Sequence, residues 1–350
     1  MTPISVCMIA KNEAVQLKKC LSLLRPHFAE IILADTGSTD DTAQVAAQYA
    51  DKVLHFQWVN DFSAARNFSI AHASHHWILV VDCDEFLTQI NLRDTQRQMQ
   101  ANPGGIGMIK RDNPYSDSSL GADAMMRERV ARLFDRRIHH YQGSIHEQAT
   151  PIDGSDAQYF HVPLTFYHEG YADKERAEKK AGRNLDMLLA ALEKEGPDPY
   201  TYFQIGQSYR ALGRADEACR YFDLGLSFDL DTQLEYVQTM VESYGHALLS
   251  AGRAAEALSF TGIYDAFATR ADFVFLMGLI YMNNAQFDLA IAEFKKATTI
   301  KKYAATGVNG HSAYYNIGVI YECMGDRKNA RAYYQKCGDF APARARLALL

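Results

Sequence analysis

The sequence predicts two domains of different class, an α/β domain with a mostly parallel sheet over residues 1–172 and an all-α repeat domain over 198–350. A linking helix is predicted over 173–197. Two observations lead to this division. Short apolar runs alternate with amphipathic helical segments in the first half, whereas strand patterns disappear after about residue 173 and helices repeat. The length of 350 residues also exceeds that of one ordinary hydrophobic core.

The elements of the first half follow one another as strand, loop and helix. A strand over 4–9 precedes a helix whose apolar positions recur at helical spacing, namely Val15, Leu17, Cys20, Leu21 and Leu24. Further strands are predicted over 30–34, 52–56 and 77–81, with a helix over 43–49 and another that carries Phe62 to Ala73. Strands that alternate with helices indicate a parallel sheet, because the chain must cross back before it adds the next strand.

Polar residues follow three of these strands. Asn12 and Glu13 follow the first, Asp35 the second, and Asp82 with Asp84 the fourth. In open parallel sheets, ligands bind outside the carboxyl ends of the strands, so we expect these residues at one edge. Two carboxylates spaced i, i+2 repel each other unless a cation or a donor lies between them. A divalent metal that holds a phosphate is the obvious cation.

The second half carries four related units centred on Gly206, Gly245, Gly278 and Gly318. Their separations of 39, 33 and 40 residues bracket the tetratricopeptide-repeat period of about 34. We expect the small residues to let paired helices approach and large aromatics to fill the groove between successive pairs. The alternative is a generic helical bundle with accidental alanines.

Composition excludes several classes of function. The formal net charge of −6 and the lack of a Lys/Arg cluster argue against nucleic-acid binding. The N-terminus lacks a signal-peptide pattern, and no apolar run approaches the roughly 18 residues of a membrane span. The six cysteines are scattered without a C-x-x-C pair, which argues against a zinc ribbon or a redox dithiol. We therefore expect a cytoplasmic protein without an integral membrane segment.

Residues 4–170 resemble a family 2 glycosyltransferase of the GT-A fold, which is Rossmann-like. Six segments carry the resemblance, in order: Ile9–Glu13, Asp35–Asp40, Asn60–Asn67, Asp82–Glu85, Gly143–Glu147 and Tyr167–Tyr171. The combination with tetratricopeptide repeats resembles a bacterial subgroup that includes bacteriocin peptide S-glycosyltransferases and relatives of lipopolysaccharide-core glucosyltransferases. An ordered set of motifs is far more specific than any single one.

The resemblance implies a metal-dependent, inverting transfer of a sugar from a nucleotide sugar, such as UDP-glucose, to a peptide, protein or glycan acceptor. Mn²⁺ or Mg²⁺ would neutralise the diphosphate leaving group. Asp84 is the expected metal ligand, and His168 matches a family histidine that completes the metal site. Asp82 would lie nearer the ribose, and Ala10 and Cys83 would line the donor site, Cys83 as a small spacer. A lone histidine is otherwise more often structural.

Several residues have a second interpretation. Asp35 matches the family aspartate that accepts the uracil imide hydrogen bond, but it also fits an Asx-turn. Asn12 and Glu13 are expected to bind base or ribose, or else to cap the first helix. Arg66 is expected to bind the nucleotide, or to pair with Asp61.

Inversion requires a general base on the acceptor side of the anomeric carbon, and Glu147 is the best candidate. It follows His146 in a segment that resembles the family's Gly-x-x-His-Glu motif. His146 itself is expected to orient the base, bind metal or simply pack.

Two other functions remain open. A nucleotidyltransferase also uses carboxylates and a metal, although it would usually show a Gly-rich basic loop after the first strand, where residues 10–13 have no glycine. A non-catalytic scaffold would keep the first domain as a relic. The repeats are expected to bind the acceptor or to form a homodimer. The sequence does not identify the sugar, the linkage or the acceptor.

Overall fold

The computed structural model describes residues 2–114, 125–169 and 174–350. The chain divides into two compact units. Unit 1 comprises Met1–Asn113 with Arg127–Asp173, and unit 2 comprises Pro114–Met126 with Lys174–Leu350. The last two residues of the Tyr167–Tyr171 motif and the predicted boundary near residue 172 lie outside the described residues.

Unit 1 is built on strands, one of which begins in unit 2. They are β1 (Thr2–Ala10), β2 (Phe28–Asp35), β3 (Lys52–His55), β4 (Trp77–Val80), β5 (Glu85–Ile90), β6 (Ile106–Pro114), β7 (Met125–Asp135), β8 (His139–Gln142), β9 (Gln148–Pro151) and β10 (Tyr159–His168). Its helices are α1 (Ala14–Leu24), α2 (Thr42–Ala46), α3 (Phe62–Ala71) and α4 (Leu92–Ala101). The predicted strand–helix alternation up to β4 is confirmed.

Eight of the strands form one sheet in the order β3-β2-β1-β4-β7-β6-β10-β5, and β8 pairs with β9 separately. The pairs β1–β2, β1–β4, β2–β3 and β6–β10 are parallel, whereas β4–β7 and β5–β10 are antiparallel. The sheet is therefore mostly parallel, as predicted. The antiparallel strands lie in the part of the chain after β4, where the sequence pattern was not resolved into strands.

The structure confirms the buried face of α1 and corrects two details of the predicted helices. Leu17, Cys20, Leu21 and Leu24 are buried at helical spacing on α1, but Val15 points to solvent with 79% exposure, so its inclusion in the apolar face was wrong. The helix predicted over 43–49 ends at Ala46. Beyond it, Gln48 and Tyr49 donate to the carbonyls three residues back, which tightens the chain into a turn.

Unit 2 is helical in the residues described from Lys174 onwards. Its α-helices are α5 (Lys174–Glu195), α6 (Pro199–Ala211), α7 (Ala215–Leu226), α8 (Glu235–Ser250), α9 (Ala254–Ala257), α10 (Tyr264–Phe267), α11 (Ala271–Asn283), α12 (Phe287–Ala297), α13 (His311–Cys323), α14 (Arg327–Lys336) and α15 (Ala341–Leu347). A 3-10 helix over Leu258–Ile263 connects α9 to α10.

The landmark glycines mark the closest approach within each helix pair. A Cβ at Gly206 would lie 2.5 Å from the ring of Phe222, and one at Gly278 would lie 2.6 Å from that of Phe294. Gly318 faces the ring of Tyr334 in the same way. Each aromatic follows its glycine by sixteen residues. These rings enter the gap inside their own pair, and Phe222 also lies against Tyr244 of the next pair, with ring centroids 6.4 Å apart, as the expectation for grooves between successive pairs requires.

The second pair departs from this pattern. Gly245 of α8 faces Leu276 and Phe260, and Phe260 follows it by fifteen residues rather than sixteen. Phe260 lies in the 3-10 helix, so the second helix of this pair is replaced by three short segments. A 3-10 turn contains fewer residues than an α-turn, so the 3-10 helix is compatible with the shorter spacing between Gly245 and Phe260.

Candidate active site

A tight turn of acids connects β4 to β5. The backbone nitrogen of Glu85 donates to the carbonyl of Asp82 at 3.1 Å, and the Asp82 nitrogen donates to Glu85 Oε2 at 3.0 Å. Glu85 is fully buried. Its carboxylate therefore closes the turn in which Asp82 and Asp84 stand, and it does not cap a following helix.

Two arginines hold Asp82. Arg66 Nη2 donates to Asp82 Oδ1 at 2.8 Å, and Arg132 Nη2 donates to Oδ2 at 2.6 Å. Burial alone would raise the pKa of Asp82, but the charges of Arg132 and Arg66 outweigh it and hold that pKa well below the usual range. Asp82, whose side chain is half-buried, is thus an anion at neutral pH that protein groups compensate.

Arg66 connects this acid to the candidate base. It projects from α3, whose N-terminus is capped by Asp61 through the Ala64 nitrogen at 2.9 Å, so the predicted alternative of an Asp61–Arg66 pair is not formed. Its Nε donates instead to Glu147 Oε1. Arg66 is 7% exposed, and its Nη1 has no hydrogen-bond partner among the described residues. Nη1 of the Arg66 guanidinium is therefore a buried, positively charged donor that an anionic ligand could satisfy.

The sequence reasoning missed the residues that extend this chain of charges. Arg132 and Arg111 both donate to Glu85 Oε1, at 3.2 and 2.9 Å. Arg111 Nε also donates to Glu128 Oε1 at 2.9 Å. We call the connected set the charged network: Arg66, Asp82, Glu85, Arg111, Glu128, Arg132 and Glu147. Glu128 and Arg132 lie on one face of β7 with Val130 between them, but Arg127 and Arg129 lie on the other face, so the sequence carried no clear signal for them.

Asp84 and His168 come together from two strands. His168 ends β10 and lies opposite Glu85 in the antiparallel ladder with β5. Its Nε2 lies 3.6 Å from Asp84 Oδ1, and both side chains are largely buried. The Glu169 nitrogen donates to the Asp84 carbonyl at 2.9 Å, which fixes the turn against the end of β10.

This pair fits a divalent cation. A separation of 3.6 Å lets both atoms contact one ion, because Mg²⁺–ligand distances are about 2.1 Å. The described residues contain no group of three or more His, Cys, Asp or Glu side chains placed to hold a metal. Two protein ligands are what Mg²⁺ or Mn²⁺ commonly takes when substrate phosphates and water supply the rest.

The predicted base-binding residues meet in the loop after β2. Asp35 ends that strand opposite Ala10, and its carboxylate accepts from the Ser38 nitrogen at 3.1 Å. Asn12 has a left-handed backbone with φ of 56°, and its Oδ1 accepts from the Thr39 nitrogen at 2.8 Å. Asp35 therefore does form an Asx-type turn, and the loop it stabilises is tied to the end of β1.

The remaining predicted donor-site residues flank this loop through their backbones. The Ala10 carbonyl accepts from the Thr36 nitrogen at 2.9 Å, and the Glu13 nitrogen donates to Thr42 Oγ1 at 2.8 Å. Glu13 occupies the N-cap position of α1, but its side chain makes no capping hydrogen bond. The buried Cys83 thiol donates to the Ile9 carbonyl at 3.4 Å, consistent with a small residue turned toward β1.

Glu147 and His146 lie on the connection from β8 to β9. His146 has a left-handed backbone with φ of 52°, unusual for a residue with a side chain. Its buried Nε2 has no hydrogen-bond partner among the described residues, and burial lowers the pKa of its ring. Backbone strain and an unsatisfied nitrogen are both features that concentrate at functional sites.

Membrane insertion through a helix finds no support in this structure. Within residues 2–114, 125–169 and 174–350, no helix combines the length and the apolar character needed to cross a bilayer.

Comparison with known proteins identifies the families that two parts of the chain match. Residues 5–151 match the family described as glycosyl transferase family 2. This part of the chain is a family 2 glycosyltransferase domain. Tetratricopeptide repeats match at 199–232, 271–303 and 311–343. The family 2 domain contains the acid turn, Arg66 and Glu147, while His168 lies beyond the matched range. The second of the four predicted units, at Gly245, corresponds to the irregular second pair and falls between matched segments.

Two glycosyltransferases are among the relatives. The SPbeta prophage-derived glycosyltransferase SunS of Bacillus subtilis is 30% identical over 234 residues, which cover 63% of this chain and 52% of the relative. The lipopolysaccharide core biosynthesis glycosyltransferase LpsC of Rhizobium meliloti is 32% identical over 157 residues, covering 43% and 57%. The chain thus spans about half the length of these curated relatives. Both support the predicted resemblance.

The repeats have relatives of their own. A TPR repeat-containing protein of Synechococcus elongatus is 47% identical over 87 residues, covering 25% of this chain and 22% of the relative. Among solved structures, MamA aligns with a TM-score of 0.40 and 21% identity, over 50% of this chain and 97% of MamA.

Proposed function

We propose that this chain is a metal-dependent, inverting glycosyltransferase that moves a sugar from a UDP-sugar to a peptide, protein or glycan acceptor. The observation that carries the proposal is the convergence of Asp84 and His168, 3.6 Å apart, beside the connected Asp82–Arg66–Glu147 chain. The family 2 match covers residues 5–151, and this geometry supports the positions proposed for the metal and the general base.

Each group has a role in the proposed reaction. Asp84 and His168 hold Mn²⁺ or Mg²⁺, which when bound neutralises the charge of the diphosphate leaving group. Asp35 accepts the hydrogen bond of the uracil imide, and Asn12 with Glu13 borders the base and ribose. Arg66 directs its unsatisfied Nη1 to an anionic donor oxygen.

The bond changes balance without a further reactant. An acceptor oxygen or sulfur forms a bond to the anomeric carbon while the bond from that carbon to the diphosphate oxygen breaks, and UDP leaves with the electron pair. The acceptor proton passes to Glu147. Because Arg66 binds Oε1 of Glu147, Oε2 is the oxygen proposed to take that proton.

The first test measures UDP release by the purified full chain with Mn²⁺ and a panel of UDP-sugars. We expect Asp84→Asn to lower turnover by about 10³-fold, since a metal contributes several kcal/mol to stabilising the leaving group. Asp153→Asn is the matched control, because Asp153 bonds only within its exposed turn to Ser155.

The outcomes separate the alternatives. UDP release that Asp84→Asn leaves unchanged would contradict the assigned metal role. Absence of UDP release together with the absence of any nucleotide-induced thermal shift would favour the scaffold. Pyrophosphate release from UTP and a sugar phosphate would identify a nucleotidyltransferase instead.

The repeats are proposed to bind the acceptor or to form a homodimer. The name of LpsC refers to lipopolysaccharide core biosynthesis, whereas that of SunS states no acceptor, so the acceptor class needs direct observation. Mass spectrometry of small peptides and cell-envelope glycans, in cells that carry the wild-type or the Asp84→Asn chain, identifies it as a hexose-sized mass difference. Unchanged profiles in both fractions would contradict a transferase role in that cell.

A further inference from the structure

Asn113 connects the charged network to the candidate metal ligand. It lies near the end of β6 and is only 7% exposed. Its Nδ2 donates to Glu128 Oε1 at 2.6 Å, while its Oδ1 lies 2.8 Å from His168 Nδ1. A buried amide that bridges a carboxylate and a histidine has both of its polar atoms committed.

Glu128 determines which way this amide faces. Arg111 donates to its Oε1 through Nε at 2.9 Å and through Nη2 at 2.8 Å. Burial would raise the pKa of Glu128, but Arg111 outweighs it and the pKa is lowered overall. An ionised carboxylate only accepts hydrogen bonds, so the amide must turn its NH₂ group toward Glu128.

The orientation of the amide in turn determines the histidine tautomer. With Nδ2 on Glu128, the carbonyl Oδ1 of Asn113 faces His168 Nδ1. A carbonyl oxygen cannot donate, so Nδ1 must carry the proton of this hydrogen bond. In the neutral ring the lone pair is then on Nε2, the atom that lies 3.6 Å from Asp84 Oδ1.

We propose that Asn113, held by Glu128, is a positioning residue that fixes the tautomer of His168 so that Nε2 and Asp84 together ligate the divalent cation. This inference rests on the proposed function, because it concerns the same metal site. In the other tautomer, Nε2 would present a proton and could not ligate.

The expected effect is on metal affinity. Loss of a group that orients a metal-ligating histidine typically costs about 10–100-fold in affinity. Asn113→Leu keeps much of the side-chain volume but removes the acceptor for Nδ1–H. We expect it to weaken Mn²⁺ binding by that factor.

Glu128→Gln is the conservative variant. Arg111 and Asn113 Nδ2 contact the same oxygen of Glu128, Oε1. A glutamine that places its carbonyl there accepts from both, so Asn113 Oδ1 still faces His168 Nδ1. We expect Glu128→Gln to weaken Mn²⁺ binding less than Asn113→Leu does.

The measurement is an EPR titration of Mn²⁺ with the full chain, accompanied by pulsed EPR for ¹⁴N coupling from a coordinated imidazole. We expect the coupling in the wild type and in Glu128→Gln and its loss in Asn113→Leu. Asn102→Leu is the control, because Asn102 lies before β6, at its opposite end, and donates only to the Gln98 carbonyl. Melting temperatures of all variants identify any that fail to fold.

The role of Asn113 and the transferase activity can be contradicted independently. Equal Mn²⁺ affinity and equal ¹⁴N coupling in the wild type and Asn113→Leu would overturn the role of Asn113, even if the wild type releases UDP. Absence of ¹⁴N coupling in the wild type would overturn it as well. Absence of UDP release with a ¹⁴N coupling that Asn113→Leu abolishes would support the role of Asn113 while contradicting the transferase.

Discussion

The acid turn of the family 2 domain and the helix pairs of the repeats are held by opposite kinds of contact. Around the acid turn, three arginines and four carboxylates share one chain of hydrogen bonds, with distances such as 2.6 Å between Arg132 and Asp82. In the repeats, the recurring contact is a glycine against an aromatic ring, as at Gly278 and Phe294. The first contact is polar and long-range in sequence, and the second is apolar and local.

This difference predicts how each region responds to change. A buried ion-pair network is costly to desolvate, and it loses most when one partner is removed and its neighbour remains charged. A close-packed contact is sensitive to volume in both directions, since either a cavity or an extra methyl group disturbs it. The stability of the first region should therefore respond to changes in side-chain charge and in pH, and that of the second to changes in side-chain volume.

The largest expected effect is in the repeats. Phe294→Ala removes a fully buried ring that fills the gap at Gly278, and we expect it to lower the free energy of unfolding by about 3–5 kcal/mol. Phe228→Ala is the control, because Phe228 is 37% exposed and should lose about 1 kcal/mol or less. Chemical denaturation measures both, and equal losses would contradict the packing argument.

The next effect tests the charged network. Arg132→Met should cost about 3 kcal/mol at neutral pH, because Asp82 and Glu85 lose a shared partner. Arg137→Met, on an arginine whose side chain is 61% exposed, should cost far less, because exposed ion pairs are screened by solvent.

The pH dependence of the Arg132→Met loss has a defined sign. The folded-state pKa of Asp82 is depressed, so its contribution is present above the unfolded value of about 3.9 and is lost as pH falls through the folded value. The difference between wild type and Arg132→Met should therefore shrink below about pH 4. A difference that stays constant in acid would show that Arg132 acts by packing alone.

The smallest effect compares two glycines within helices. Gly278→Ala would place a methyl group 2.6 Å from the Phe294 ring and should cost about 1–3 kcal/mol. Gly182→Ala on α5 meets nothing within 4 Å and should stabilise by about 0.5–1 kcal/mol, because alanine restricts the unfolded chain. Thermal melts of the two variants should shift in opposite directions, and two shifts of one sign would contradict this comparison.

Sequence reasoning found the parts of the site that stand at predicted strand ends. Asp84 and Asp35 follow apolar runs whose strand character was evident, and His168 was reached through the resemblance. Arg111, Asn113, Glu128 and Arg132 were missed because they lie inside strands with too few apolar residues to stand out. Even with β6 and β7 predicted, their partners would not have followed, since the sheet order β4-β7-β6-β10 departs from chain order.

The repeats show the same limit on a smaller scale. The glycine landmarks predicted helix pairs because a local pattern repeated. The fifteen-residue spacing from Gly245 to Phe260 gave no sign that three short helices would replace one. That outcome depends on how the Phe260 ring packs against Gly245, which the local sequence does not encode.

The charged network also has an uneven balance of formal charge. Its three guanidinium groups face four carboxylates, and Asp84, joined through His168, makes five. Two negative charges are therefore left over at the place where a diphosphate, itself an anion, is proposed to bind. A divalent cation would offset part of the combined negative charge of this surplus and the diphosphate. In the proposed enzyme the metal would thus act before any bond breaks, by converting a site that repels the donor into one that accepts it.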